Sequence, residues 1–126
     1  MPKKIDCITF FSESLMFEFR YNVLKNFVDY FVVCESIFDH KGNKKKLNFN
    51  FKDYYDKNKI KYFVLEHSIK KENDPWKNQA IQREYLLNQL SFIGDEDYIF
   101  FSDPDEIPNP DILNNFHLSK KYLIFL

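Results

Sequence analysis

Tyr30-Phe-Val-Val-Cys34, followed at once by Glu35-Ser36, is the stretch whose reading decides the architecture. It is an unbroken apolar and aromatic run without alternation. Such a run is buried on both faces, as a strand of a parallel sheet is. The same design recurs along the chain. Ile5-Asp-Cys-Ile-Thr-Phe10 runs into Phe11-Ser12-Glu13, and Ile60-Lys-Tyr-Phe-Val-Leu65 into Glu66-His67. Tyr98-Ile-Phe-Phe101 runs into Ser102-Asp-Pro-Asp-Glu106. Each apolar run stops at polar or acidic residues.

Helical patterns lie between these runs. From Leu15 to Val28, Met16, Phe19, Val23 and Phe27 recur at helical spacing, with Ser12 or Ser14 as the expected cap. A second helix is predicted to start at Asp74 as N-cap with Pro75 as first helical residue, where the missing N–H of proline is harmless. Trp76, Ala80, Leu87 and Leu90 then mark its expected buried face, and Gly94 lies just past its end. Asp39 to Lys46, with Gly42 and Lys44-Lys-Lys46, reads as a mobile loop, and Asn50 to Asn58 shows no clear period. Asp111 can cap a short helix over Ile112 to Phe116, and Tyr122 to Leu126 reads as the start of a fifth strand. Strands alternating with helices predict an α/β fold with a mostly parallel sheet flanked by helices.

The composition narrows the function classes. At 126 residues the chain fits one domain, residues 1–126, and 44% hydrophobic with 19% aromatic residues excludes disorder. Only Gly42 and Gly94 are glycines, so glycine-rich phosphate loops are excluded. A net charge of -1 makes no electrostatic case for nucleic acid. No apolar run approaches the roughly 20 residues of a membrane span, and Asp6 interrupts any signal-peptide core. Cys7 and Cys34 stand singly in apolar runs, as small buried hydrophobes in a reducing compartment do. A cytoplasmic location is expected. The apolar terminal run Tyr122 to Leu126 has no following partner, which suggests part of a larger domain and self-association through an open strand edge.

In α/β sheets, ligands bind at the carboxyl ends of the strands. The strongest signal there is acidic: from Gly94 to Asp111 there are seven acidic residues and no Lys or Arg. Two carboxylates about 4 Å apart repel by about 4 kcal/mol at an effective dielectric near 20. Asp103, Asp105 and Glu106 therefore need a hard cation, an arginine, N–H donors or open solvent. Pro104 is expected to extend the strand direction into the loop, so that Asp103 and Asp105 point to similar sides. A plain solvated turn is the competing reading. Lysine outnumbers arginine 16 to 2, which draws attention to Arg83 in the apolar stripe of the second helix. Its guanidinium could offset the acidic cluster or grip a phosphate, or its head could simply reach water. His40, His67 and His117 show no ligand spacing.

Four segments in order carry a resemblance: Ile5 to Glu13, Val28 to Ser36, Asp74-Pro-Trp-Lys-Asn78 with Gln82-Arg83, and Ser102-Asp-Pro-Asp-Glu-Ile-Pro108. Together they resemble glycosyltransferase family 17, over roughly residues 5 to 115. The resemblance implies a GT-A-like (Rossmann-like) fold, here its donor-binding part, and inverting transfer of a sugar, N-acetylglucosamine by the family's pattern, from a UDP-sugar to a glycan acceptor. It implies that Asp103-Pro-Asp105 is a DxD motif, with Asp105 on Mn²⁺ or Mg²⁺ and Asp103 on the ribose or the metal's water. Glu35 is then expected near the nucleoside, Phe11 and Glu13 in the same pocket, and Arg83 on the carboxylates or the diphosphate. The general base is expected outside this chain, with Glu106 a weak candidate. Two alternatives stay open. One is a donor-site remnant that binds without transferring. The other is a phosphatase of the haloacid dehalogenase type, whose Asp-x-Asp wants Thr or Val where Ile107 stands.

Overall fold

The computed structural model describes residues 3–66, 69–111 and 122–124. The chain forms β1 (Lys4–Phe10), α1 (Ser14–Leu24), β2 (Tyr30–Ser36), β3 (Ile60–Leu65), α2 (Pro75–Asn88), β4 (Tyr98–Phe101) and β5 (Tyr122–Ile124). The sheet has the order β3-β2-β1-β4-β5, and every neighbouring pair is parallel. This is the α/β, Rossmann-like arrangement that the apolar runs predict. The expected helix over Ile112 to Phe116 lies outside the described residues, as do His67 and His117.

Strand alternation sorts the side chains onto two faces. Ile8, Phe10, Phe31, Val33 and Phe100 join Phe17, Tyr21 and Leu24 of α1 in one core. Ile5, Cys7, Val32, Cys34, Ile99 and Phe101 join Leu86 of α2 in the other. The first core is the more aromatic of the two. There the segment after β2 folds back over the sheet, with Phe49 stacked on Tyr62 at 4.9 Å and edge-on to Phe17 at 5.1 Å. Fully burying a ring of this kind stabilises a fold by about 1.5–3 kcal/mol.

Both helices bury a different face from the one the apolar spacing predicts. In α1 the buried residues are Phe17, Arg20, Tyr21 and Leu24, whereas Phe19 is 59% exposed. In α2 they are Asn78, Gln82 and Leu86, whereas Trp76 is 80% exposed and Ala80 and Leu87 lie on the surface; of the expected face Leu90, just past the helix, is buried in the second core. The physical reason is shared. Each buried stripe is built around polar side chains, Arg20 in one helix and Asn78 with Gln82 in the other, and a search for apolar periodicity steps around them. Asp74 does cap α2 as expected, accepting from Lys77 N at 2.8 Å, with Pro75 in the first turn. At α1 the cap position falls on Glu13 instead of Ser12 or Ser14, and no side chain caps the first turn.

The segment expected to be a mobile loop is tied down. Asp39 Oδ1 accepts from Lys41 N and Asn43 N, and Phe38 bridges Lys44. Gly42 has φ 86°, and a Cβ there would lie 2.6 Å from the Lys70 carbonyl carbon, so only glycine fits against that backbone. Asn78 closes the contact by donating to His40 O and Lys70 O, both at 2.9 Å.

Candidate functional site

The carboxyl ends of β1, β2 and β4 meet around a cavity of about 300 Å³. Phe11 and Glu13 line it from the end of β1, His40 from the loop after β2, Gln82 from α2, and Asp103 and Asp105 from the loop after β4. A wider cavity of about 410 Å³ adjoins it and shares Phe11, Glu13 and His40. The position is the switch point of the sheet, where β1 has β2 on one side and β4 on the other.

The acidic loop is a turn and not the strand extension that Pro104 suggested. Glu106 N donates to Asp103 O at 2.9 Å, closing a four-residue turn with Pro104 in its second position, which suits its fixed φ. The turn gathers the acids: ligand oxygens of Asp103, Asp105 and Glu106 lie within 4.8 Å of one another. Asp103 and Asp105 are exposed, and no cation pairs with them among the described residues. Glu106 turns partly inward, its Oε1 accepting from Asp103 N at 3.3 Å.

Beneath the turn lies Arg20, fully buried. Its Nε and Nη2 form a bidentate pair with Asp6 at 2.6 and 2.5 Å. Nη2 also donates to Ser102 Oγ at 2.7 Å. Nη1 is shared among the carbonyls of Asp103, Pro104 and Glu106 at 3.0, 3.4 and 3.1 Å. Alternation explains the meeting. Asp6 pairs in register with Phe100, and Ser102 lies two residues on, so both face α1. Sequence reasoning missed Arg20, although a signal was present. A carboxylate inside the apolar run of β1 demands a buried partner, and the chain has only two arginines to supply one.

The opposite wall is set by Gln82. Its amide nitrogen donates to Cys34 O at 3.0 Å and Phe10 O at 3.4 Å, bracing the ends of β2 and β1. That leaves its oxygen to face His40 Nε2 at 3.0 Å, so Nε2 carries the proton in this contact. Glu13 Oε2 accepts from Phe11 N and Ser12 N at 3.0 Å each, which fixes the carboxylate at the mouth of β1.

Phe11, Glu13, Asp103 and Asp105 are thus brought together, and Glu35 and Arg83 are not. Glu35 is fully buried away from the cavity, where it accepts from Lys45 Nζ, Asn48 N, Phe49 N and Tyr62 OH at 2.6–3.0 Å. It ties the segment after β2 to the sheet, and Lys45 of the lysine run is its ion partner. Arg83 is exposed on α2 with its guanidinium 5.2 Å from the Phe101 ring centre, and no carboxylate pairs with it among the described residues. Arg20, on the other helix, is the arginine that reaches the acidic loop.

A parallel α/β sheet with a carboxylate-bearing turn above a strand-end cavity defines the class of Rossmann-like α/β proteins. Within that class the chain belongs to glycosyltransferase family 17, whose family model matches residues 1–122. The protein is therefore a glycosyltransferase, and the phosphatase alternative loses its support. No curated protein and no solved structure matches the chain. Among the described residues, no helix is long and apolar enough to cross a membrane.

Proposed function

We propose that the protein moves a sugar, N-acetylglucosamine by the family resemblance, from a UDP-sugar to a glycan acceptor with inversion, using Mn²⁺ or Mg²⁺ at Asp103-Pro-Asp105. The observation that carries this reading is the turn itself. It presents Asp103 and Asp105 to a cavity, without a cation among the described residues, at the switch point of the sheet. Clustered carboxylates open to a cavity are the donor set that a hard divalent ion takes together with phosphate oxygens. When bound, the ion supplies Lewis-acid offset of the charge that develops on the departing diphosphate.

The chain's own residues supply the rest. Asp105 holds the ion and Asp103 contacts the ion or the ribose. Phe11, 39% exposed, offers a ring face to the nucleoside, and Glu13 accepts hydroxyl hydrogens beside it. His40 and Gln82 close the far wall, and because Nε2 is committed to Gln82, Nδ1 is the ring nitrogen left for a ligand. Glu35 supports this pocket indirectly, by holding the segment that places Lys45 over the Phe11 ring at 5.4 Å. Glu106 serves the turn more than the reaction.

The test is a titration of UDP-N-acetylglucosamine with and without Mn²⁺, on wild type and Asp105→Asn. Metal-dependent binding that the substitution abolishes is expected. Binding indifferent to metal, or unchanged in the variant, would remove the role given to Asp105. Binding without transfer to any glycan in a radiolabelled-sugar assay would mark the chain as a donor-site module.

A further inference from the structure

We infer that Arg20 is a positioning residue for the metal: it shapes the Asp103–Glu106 turn so that the Asp103 and Asp105 carboxylates are held toward the cavity as protein ligands. The inference rests on the metal reading above and concerns a residue that never touches the ligand.

The argument starts from donor arithmetic. An arginine has five N–H groups in a rigid planar fork. Here all are engaged: Nε and one Nη2 hydrogen on Asp6, the other Nη2 hydrogen on Ser102 Oγ, and Nη1 across three carbonyls of one turn. Ser102 Oγ in turn donates to Glu106 O at 2.8 Å. The carbonyls of Asp103, Pro104 and Glu106 are therefore drawn inward toward the guanidinium. Carbonyls so bound are poor ligands for a cation on the other side. With these three carbonyls facing in, the Asp103 and Asp105 side chains are left on the cavity wall, where they are found.

Asp6 makes the arrangement affordable. It neutralises the guanidinium inside the core, where an unpaired charge would not persist. Asp6 sits in the central strand β1, so the turn is referenced to the most enclosed part of the sheet. A loop hung from a rigid strand by a planar fork holds its carboxylates to a narrower set of positions than a free acidic turn, which lowers the ordering needed on metal binding.

The experiment measures Mn²⁺ affinity, from the electron paramagnetic resonance signal of free Mn²⁺, for wild type, Ser102→Ala, Arg20→Lys and Asp105→Asn. Thermal unfolding and amide hydrogen exchange over the turn are followed in the same proteins. Ser102→Ala removes one link and leaves the Arg20–Asp6 pair, so it keeps the test valid even if Arg20→Lys does not fold. Expected are a loss of Mn²⁺ affinity of about tenfold in Ser102→Ala, within the range seen for outer-shell partners, and faster exchange at Glu106 N, in a protein that still unfolds cooperatively at a somewhat lower midpoint. Wild-type affinity in a folded Ser102→Ala or Arg20→Lys would overturn the positioning role. Absence of Mn²⁺ binding by wild type would instead overturn the metal reading on which the role depends.

Discussion

Arg20 and Glu35 are both fully buried, and each shows how a single residue can govern a segment. Glu35 gathers four donors at the end of β2. Glu35→Gln would keep the shape, remove the charge that Lys45 answers, and turn an NH₂ group toward Phe49 N or toward Asn48 N and Lys45 Nζ, which only donate. A loss of about 3 kcal/mol is expected, as for other broken buried pairs, measured by urea unfolding. A variant within 0.5 kcal/mol of wild type, about the scatter of surface changes, would show that the segment holds without it. At this scale the sequence was readable where residues are exposed. Asp103 and Asp105 stand out because no lysine or arginine is near them in the chain. For Arg20 the one signal was Asp6 inside an apolar run, and for Asn78 and Gln82 there was none, because most of their partners are backbone atoms that only the fold brings near. Arg83, the more conspicuous arginine, proved to be the surface one.

The elements divide in the same way. Strand positions followed directly from the apolar runs, since a strand buried on both faces needs little beyond hydrophobicity. Helix positions followed from Asp74-Pro75 and from spacing, but helix orientation did not. Polar side chains took the inward places in order to satisfy the ends of the strands. The loop after β2 depends on one glycine. Gly42 occupies the left-handed region against the Lys70–Lys71 backbone. Gly42→Ala adds strain of about 1–2 kcal/mol from φ alone, and the overlap adds to it. A total loss above about 2 kcal/mol is expected in a denaturation experiment. Because His40 lies in the same turn, the variant should also weaken UDP-N-acetylglucosamine binding, whereas Mn²⁺ affinity should change little.

Over the whole molecule, two thiols and two phenols share one direction. Burial pushes the Cys7 thiol well up, and burial together with the nearby Glu35 charge pushes Cys34 up to about 12. Burial raises Tyr55, with neighbouring Tyr54 adding to it, and raises Tyr62, with the hydrogen bond to Glu35 adding to it. A raised folded value gives stability that is fully present below the unfolded value and is lost as pH rises toward the folded one. Unfolded thiols and phenols titrate near about 8.5 and 10. The urea midpoint should therefore hold near neutrality and fall progressively from about pH 8.5 upward, and Tyr62→Phe should flatten the decline above about pH 10. A midpoint constant to pH 11 would contradict the burial assigned to these groups. The join between α1, β1 and β4 carries a consequence for how the chain can vary. Asp6 and Ser102 reach the guanidinium only because both fall on the same phase of a two-residue repeat. Gaining or losing one residue in β4 would turn Phe101 or Asp103 toward the arginine and reverse every later side chain. Changes of two residues would preserve the phase. Length variation among working versions of this strand should thus come in even steps, while the segment between β2 and β3 has no such parity to keep beyond the residues that Glu35 and Gly42 pin.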